Sequence, residues 1–228
     1  MSSHLAPVES PLSAVPKRLA KRARPTVKRG HFEMVLLAAS AGGVPALRDF
    51  LAKLPATFPV PIAVVLHRTQ SQPVRLAQVL GRTSSLQIKT AEEGERVVRG
   101  VVYLAPPRQH LVVRPNRTLH LMDGHKIKYV HSSANPLFES AAYSLDGRVV
   151  AVVLTGSGTD GTNGVQTVKG MGGVVLVQDP ATTAYSTMPL SAIGTGAVDR
   201  VLPLERIPAE LLKLVTRRTR RPAAAAVG

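Results

Sequence analysis

Between residues 33 and 216 the chain alternates short, wholly apolar runs with segments whose apolar residues recur every three or four positions. Met34-Val-Leu-Leu-Ala-Ala39, Ile62-Ala-Val-Val-Leu66 and Val149-Val-Ala-Val-Val-Leu154 contain no polar position, the pattern of strands buried on both faces. The spacing predicts strands at about 33–39, 62–66, 87–90, 149–154, 174–178 and 198–202. It predicts helices at about 45–54, 73–81, 136–145, 162–171, 188–195 and 204–216. The stretch from 96 to 130 reads differently. There, short strands at 101–104, 109–113 and 118–122 are separated by Pro-Pro, Pro-Asn and Asp-Gly turns, which predicts a small antiparallel flap. The whole reads as an α/β fold: a doubly wound, mostly parallel sheet with helices on both faces and the flap attached.

Composition changes this picture mainly at the ends. With 44% hydrophobic and 19% charged residues in 228, the body at 31–216 is expected to be one globular α/β domain. The net charge of +15 is unevenly placed. Residues 1–30 hold seven basic side chains and one acidic, residues 217–228 hold four arginines and no acid, and +5 is left for the body. Both ends are expected to be disordered basic tails. Polyanion binding through them is a possible role, but no nucleic-acid-binding motif is present and aromatics are only 4% of the chain, so specific nucleic-acid recognition is not expected. No cysteine, no secretory apolar core and no run of roughly 20 apolar residues points to a cytoplasmic protein without a transmembrane segment.

In an open parallel sheet ligands bind beyond the carboxyl ends of the strands. Three of those ends carry chemistry. The first strand closes on Ser40, followed by Ala41, Gly42 and Gly43 and at once by a helical pattern, so Ser40 meets free backbone N–H groups and the positive end of a helix. The second ends on His67, and the strand 149–154 runs into Thr155-Gly-Ser-Gly-Thr-Asp160-Gly161. Ser40, His67 and Asp160 are the parts of a nucleophile, a base and an orienting acid. The plainer reading stays open for each: a helix-capping serine, a structural histidine, a turn-forming aspartate. Ser157 and Gly158 in the same loop are secondary site candidates. Gly156-x-Gly158-x-x-Gly161 with Asp179 also matches a dinucleotide-binding fingerprint, but Asp160 would set a negative charge in the phosphate cradle, and no cofactor is expected. With no cysteine and no His-Glu-x-x-His, no metal site is expected either. His110, His120, His125 and His131 fall in or beside the flap, His4 and His31 in the tail, and none competes with His67.

Ala-Ala-Ser40-Ala-Gly-Gly, Pro-Ile-Ala-Val-Val-Leu-His67, Val-Tyr-Leu-Ala-Pro106, Leu-Thr-Gly-x-Gly-x-Asp160-Gly and Gln178-Asp-Pro-Ala-Thr-Thr-Ala-Tyr-Ser-Thr-Met-Pro189 stand in one order. Together with Gly196-Ala-Val-Asp199-Arg-Val-Leu-Pro-Leu204 they resemble the catalytic domain of the chemotaxis receptor methylesterases, the CheB type, over about 33–215. The resemblance implies hydrolysis of glutamate γ-methyl esters on the cytoplasmic helices of methyl-accepting receptors, with release of methanol, and deamidation of certain receptor glutamines. By position it makes Ser40 the nucleophile, His67 the base and Asp160 the orienting acid. Backbone N–H groups near Ala41–Gly43 are candidates for the oxyanion hole. Ala41 stands where the family usually has Thr or Ser, Ser157 where it has Met, Arg68-Thr69 where it has Met-Pro, and Val130-His131-Ser132-Ser133 where it has His-Arg-Pro-Ser. Members commonly carry an N-terminal receiver domain. The thirty residues of the N-terminal tail are too few for one, so the protein is expected to be either unregulated or controlled by a separate regulatory protein. Two rivals remain: a docking or scaffold module of the same fold with a weakened site, and polyanion binding through the tails.

Overall fold

A computed structural model describes residues 32–67, 75–123 and 132–216; both tails, the predicted start of the second helix at 73, Arg68-Thr69, His125 and His131 lie outside the described residues. The chain runs β1 (Met34–Ala39), α1 (Gly43–Leu51), β2 (Ile62–Leu66), α2 (Leu76–Gly81), β3 (Gln87–Thr90), β4 (Val101–Leu104), β5 (Gln109–Val113) and β6 (Leu119–Asp123). It continues through α3 (Ala134–Ser144), β7 (Val149–Val153), α4 (Thr162–Gly170), β8 (Val174–Gln178), α5 (Thr187–Ile193), β9 (Arg200–Leu202) and α6 (Ile207–Thr216). Seven strands form one sheet in the order β3-β4-β2-β1-β7-β8-β9, every pairing parallel. A separate antiparallel pair, β5-β6, makes the hairpin.

Successive residues of β1 face opposite layers, because strand side chains alternate. Val35, Leu37 and Ala39 pack into a core with Leu47, Phe50 and Leu51 of α1 and Ile207 and Leu211 of α6. Met34, Leu36 and Ala38 pack into a second core with Leu137, Phe138 and Ala141 of α3 and Val165 and Val168 of α4. Burial of side chains of this size stabilises by roughly 1.5–3 kcal/mol each, which is why strands without a polar position occupy the centre of the sheet. From β1 the chain builds first toward β2 and β4, then crosses to β7 on the other side. That reversal opens a crevice at the carboxyl end of β1, where Ser40 stands.

Three expectations change. Val101–Leu104 is no part of the flap: it is β4, paired in parallel between β2 and β3. All four of its residues are buried, as a strand covered on both faces requires, whereas β5 and β6 leave polar positions toward solvent. The helix expected from 136 starts at Ala134, because Ser133 caps it by accepting the Asn135 N–H at 3.2 Å. The segment expected to be helical from 204 opens with a 3-10 turn, Leu204–Arg206, before α6.

Candidate functional site

The site is assembled from strand ends by register. β1 pairs with β2 up to Ala39 opposite Leu66, and the His67 N–H donates to the Ala39 carbonyl at 3.0 Å. On the other flank the Ser40 N–H donates to the Thr155 carbonyl at 3.0 Å. Ser40 therefore sits between His67 and Thr155, with its hydroxyl making no hydrogen bond among the described residues. Gly42 follows with φ of +74°, a left-handed conformation that favours glycine, and turns the chain into α1. No acidic residue occupies the first turn of α1, so its positive end stays uncompensated beside Ser40.

The oxyanion candidates divide. The Gly43 N–H donates to the Ser40 carbonyl at 2.8 Å and is spent on closing the turn. The N–H groups of Ala41 and Gly42 donate to nothing among the described residues, which leaves them to face an incoming oxygen. The Ala41 carbonyl is held by the Thr155 hydroxyl at 3.1 Å, so the peptide that follows it has a fixed plane. Gly156 lies directly against the serine: a Cβ placed there would stand 2.8 Å from Ser40 Cβ and 2.8 Å from Met188 Sδ. Both contacts are closer than real side chains tolerate, so Gly156→Ala is expected to push Ser40 off its position and to lower any turnover that depends on Ser40 about a hundredfold. Its unfolding midpoint and its rate are to be measured side by side.

Across the crevice His67 Nε2 meets Asp160 Oδ2 at 2.8 Å. A carboxylate only accepts, so the proton of that bond resides on Nε2, and whenever the ring is neutral its lone pair is on Nδ1. Asp160 thus takes the ring nitrogen opposite to the one that the acid takes in the serine protease template.

Asp160 is buried, and its carboxylate is saturated by four donors. His67 Nε2 and the Ala134 N–H (2.6 Å) reach Oδ2, while the Ser133 hydroxyl (2.5 Å) and Asn135 Nδ2 (3.2 Å) reach Oδ1. Burial pushes the carboxyl up, but the hydrogen bond and charge of His67, the Ala134 N–H and the Ser133 hydroxyl together outweigh it and hold Asp160 below its ordinary value. Three of the donors come from the amino end of α3, whose dipole favours the same negative charge. Asn135 also accepts the Gly164 N–H at 2.9 Å and so ties α3 to α4. Nearby Glu139 is pushed up, by burial first and by the charge of Asp160 second.

Ser133, Asn135 and His110 are site residues that sequence reasoning passed over. His110 is buried in the hairpin, and its Nδ1 accepts the Ser133 N–H at 3.0 Å, which keeps that nitrogen unprotonated and fixes the cap behind Asp160. The available signal was a serine and an asparagine at the start of an apolar helical pattern, which reads equally well as a cap. Of the secondary candidates, Ser157 is exposed and makes no side-chain hydrogen bond among the described residues. Gly158 has its carbonyl held by the Ser191 hydroxyl at 3.3 Å. Asp179 caps a 3-10 turn, Pro180–Thr182, by accepting the Ala181 N–H at 3.0 Å. Among the described residues no group of three or more His, Asp or Glu side chains could hold a metal ion.

Comparison with known proteins points the same way. The family described as CheB methylesterase matches residues 35–211. A putative protein-glutamate methylesterase/protein-glutamine glutaminase of Leptospira interrogans is 35% identical over 184 residues, spanning 81% of this chain and 95% of that protein. Protein-glutamate methylesterase/protein-glutamine glutaminase 2 of Caulobacter vibrioides is 41% identical across 78% of this chain, and the match spans about half of that protein, 52%. The crystal structure of the Thermotoga maritima CheB methylesterase catalytic domain superposes with a TM-score of 0.77 at 37% identity, covering 81% of this chain and 99% of that one. The chain belongs to the CheB methylesterase family.

Proposed function

We propose that the chain hydrolyses γ-methyl esters of glutamate on the cytoplasmic helices of chemotaxis-type receptors, with deamidation of glutamines there as a second reaction of the same site. The reading rests on one observation above the others: a histidine fixed by a saturated, buried carboxylate, beside a serine whose hydroxyl is uncommitted at the positive end of a helix. His67 Nδ1 takes the proton of Ser40 as Oγ bonds to the ester carbonyl carbon. The Ala41 and Gly42 N–H groups receive the negative charge that develops on the carbonyl oxygen. Collapse breaks the bond to the methoxy oxygen, which leaves as methanol with the proton from His67. Water, activated by the same ring, then cleaves the acyl-serine and returns a glutamate carboxylate. Asp160 holds the ring and balances its charge while the proton is on it.

Methanol release from methylated receptor cytoplasmic fragments tests the proposal. Turnover by the wild-type chain is expected, and a folded protein that releases none from several fragments overturns it. No described helix is long and apolar enough to cross a membrane.

A further inference from the structure

Opposite His67, the crevice is walled by an uncharged stretch. From Pro180 to Val198 no residue carries a charge, in a chain of net +15. Within that wall Tyr185 and Leu190 are 50% and 53% exposed, two large apolar side chains left to solvent. The backbone of Tyr185 is nevertheless pinned. Its N–H donates to the Thr155 hydroxyl at 3.0 Å, and its carbonyl accepts from the Gly156 N–H at 2.9 Å. Gln178 extends the clamp, its amide accepting the Thr155 N–H at 2.9 Å and donating to the Thr182 carbonyl at 3.2 Å. The ring lies over the turn that follows Ser40: a Cβ at Gly42 would stand 3.3 Å from Tyr185 Cδ2. Ser186 is the residue before α5, so Tyr185 and Leu190 hold the two positions at which a hydrophobic staple brings side chains together. A staple that only fixed the helix would bury its pair. Here half of each side chain is offered to solvent from a rigid backbone, which is how an aromatic anchor binds a partner at low entropic cost.

We propose that Tyr185 and Leu190 form an apolar platform beside Ser40 that takes the apolar neighbours of the target glutamyl ester on a substrate helix, and so sets which esters are cleaved. The inference rests on the esterase reading above. On a helix, residues three and four positions from the ester share its face, within about 5–6 Å, so a platform flanking the nucleophile meets them as the ester enters. The residues act in substrate selection; the proton transfers belong to Ser40 and His67.

The test compares two helical peptides, each with one glutamyl γ-methyl ester and the same net charge. One has leucine at the positions three and four residues from the ester, the other glutamine, which has a similar helix propensity. kcat/KM for methanol release is measured with wild type, Tyr185→Ala, Leu190→Ser and Tyr185→Phe, and free glutamate γ-methyl ester serves as a small substrate. Wild type is expected to favour the leucine peptide about tenfold, the size of effect a modest apolar pocket supplies. Tyr185→Ala and Leu190→Ser are expected to shrink that preference below about threefold, while Tyr185→Phe, which keeps the ring, retains it. A wild type that turns over both peptides without preference overturns the platform and leaves the esterase reading standing. So does a full preference in both truncated variants. No turnover of either peptide or of the small ester overturns the esterase reading and the platform with it.

Discussion

Ser40→Ala is expected to reduce methanol release by at least about a thousandfold while leaving the thermal unfolding midpoint nearly unchanged. The reason for the loss is that no neighbouring serine can replace the hydroxyl: Ser133 is spent on Asp160, and Ser157 is exposed on a different loop. The fold is expected to be indifferent because the Ser40 Oγ makes no hydrogen bond among the described residues. Its Cβ, which packs against Gly156, is kept by alanine, and so is the backbone bond from Ser40 N–H to Thr155. A scaffold of the same fold makes the opposite forecast, since its wild type would have no turnover to lose. Methanol release and a melting curve on the same preparation separate the two.

Asp160→Asn is expected to cost about ten-thousandfold in rate and, unlike Ser40→Ala, to cost stability as well. All four donors around Asp160 point at acceptor oxygens. An amide offers one oxygen and one NH2 group, so two donors lose an acceptor whichever way it is placed. If the NH2 faces His67, the ring must present a lone pair at Nε2 and carry its proton on Nδ1, where it can no longer accept from Ser40. If the NH2 faces Ser133 and Asn135, the Asn135 amide meets another donor and its link to Gly164 is strained. An unsatisfied buried polar group costs about 1–3 kcal/mol, enough to appear as a drop of several degrees in the unfolding midpoint.

The same carboxylate gives a sign for acid sensitivity. Asp160 is held below its ordinary value of 3.8 in the folded state, so the stability it contributes is present in full above that value. It is lost as pH falls through the lower folded value, and this component is absent in Asp160→Asn. Wild type and variant unfolding curves should therefore converge in strong acid.

The strand-forming runs were legible because a strand buried on both faces must be apolar throughout, and nothing else in so short a segment reads that way. Ser40, His67 and Asp160 were legible for the same reason: each follows a run of that kind, and parallel strands place their carboxyl ends on one edge. Val101–Leu104 was misplaced because its Pro-Pro boundary resembles the turns of the hairpin beyond it, and local signals do not state which strand is the partner.

What the sequence by itself determined, then, is the layering of the fold and that Ser40, His67 and Asp160 follow strands whose carboxyl ends share one edge, since both follow from hydrophobic period and chain direction. Only the tertiary structure decided how the chemistry is held. Three of the four donors that saturate Asp160 come from the amino end of α3, 25 to 27 residues earlier in the chain, and a cap residue looks the same in sequence whether or not a carboxylate stands above it. Which nitrogen of His67 faces the acid, that Gly43 is spent while Ala41 and Gly42 are open, and that Tyr185 is pinned yet exposed all depend on distances between residues far apart in sequence. Hydrophobic periodicity fixes which face of an element is buried; hydrogen-bond direction is set only once those faces have met.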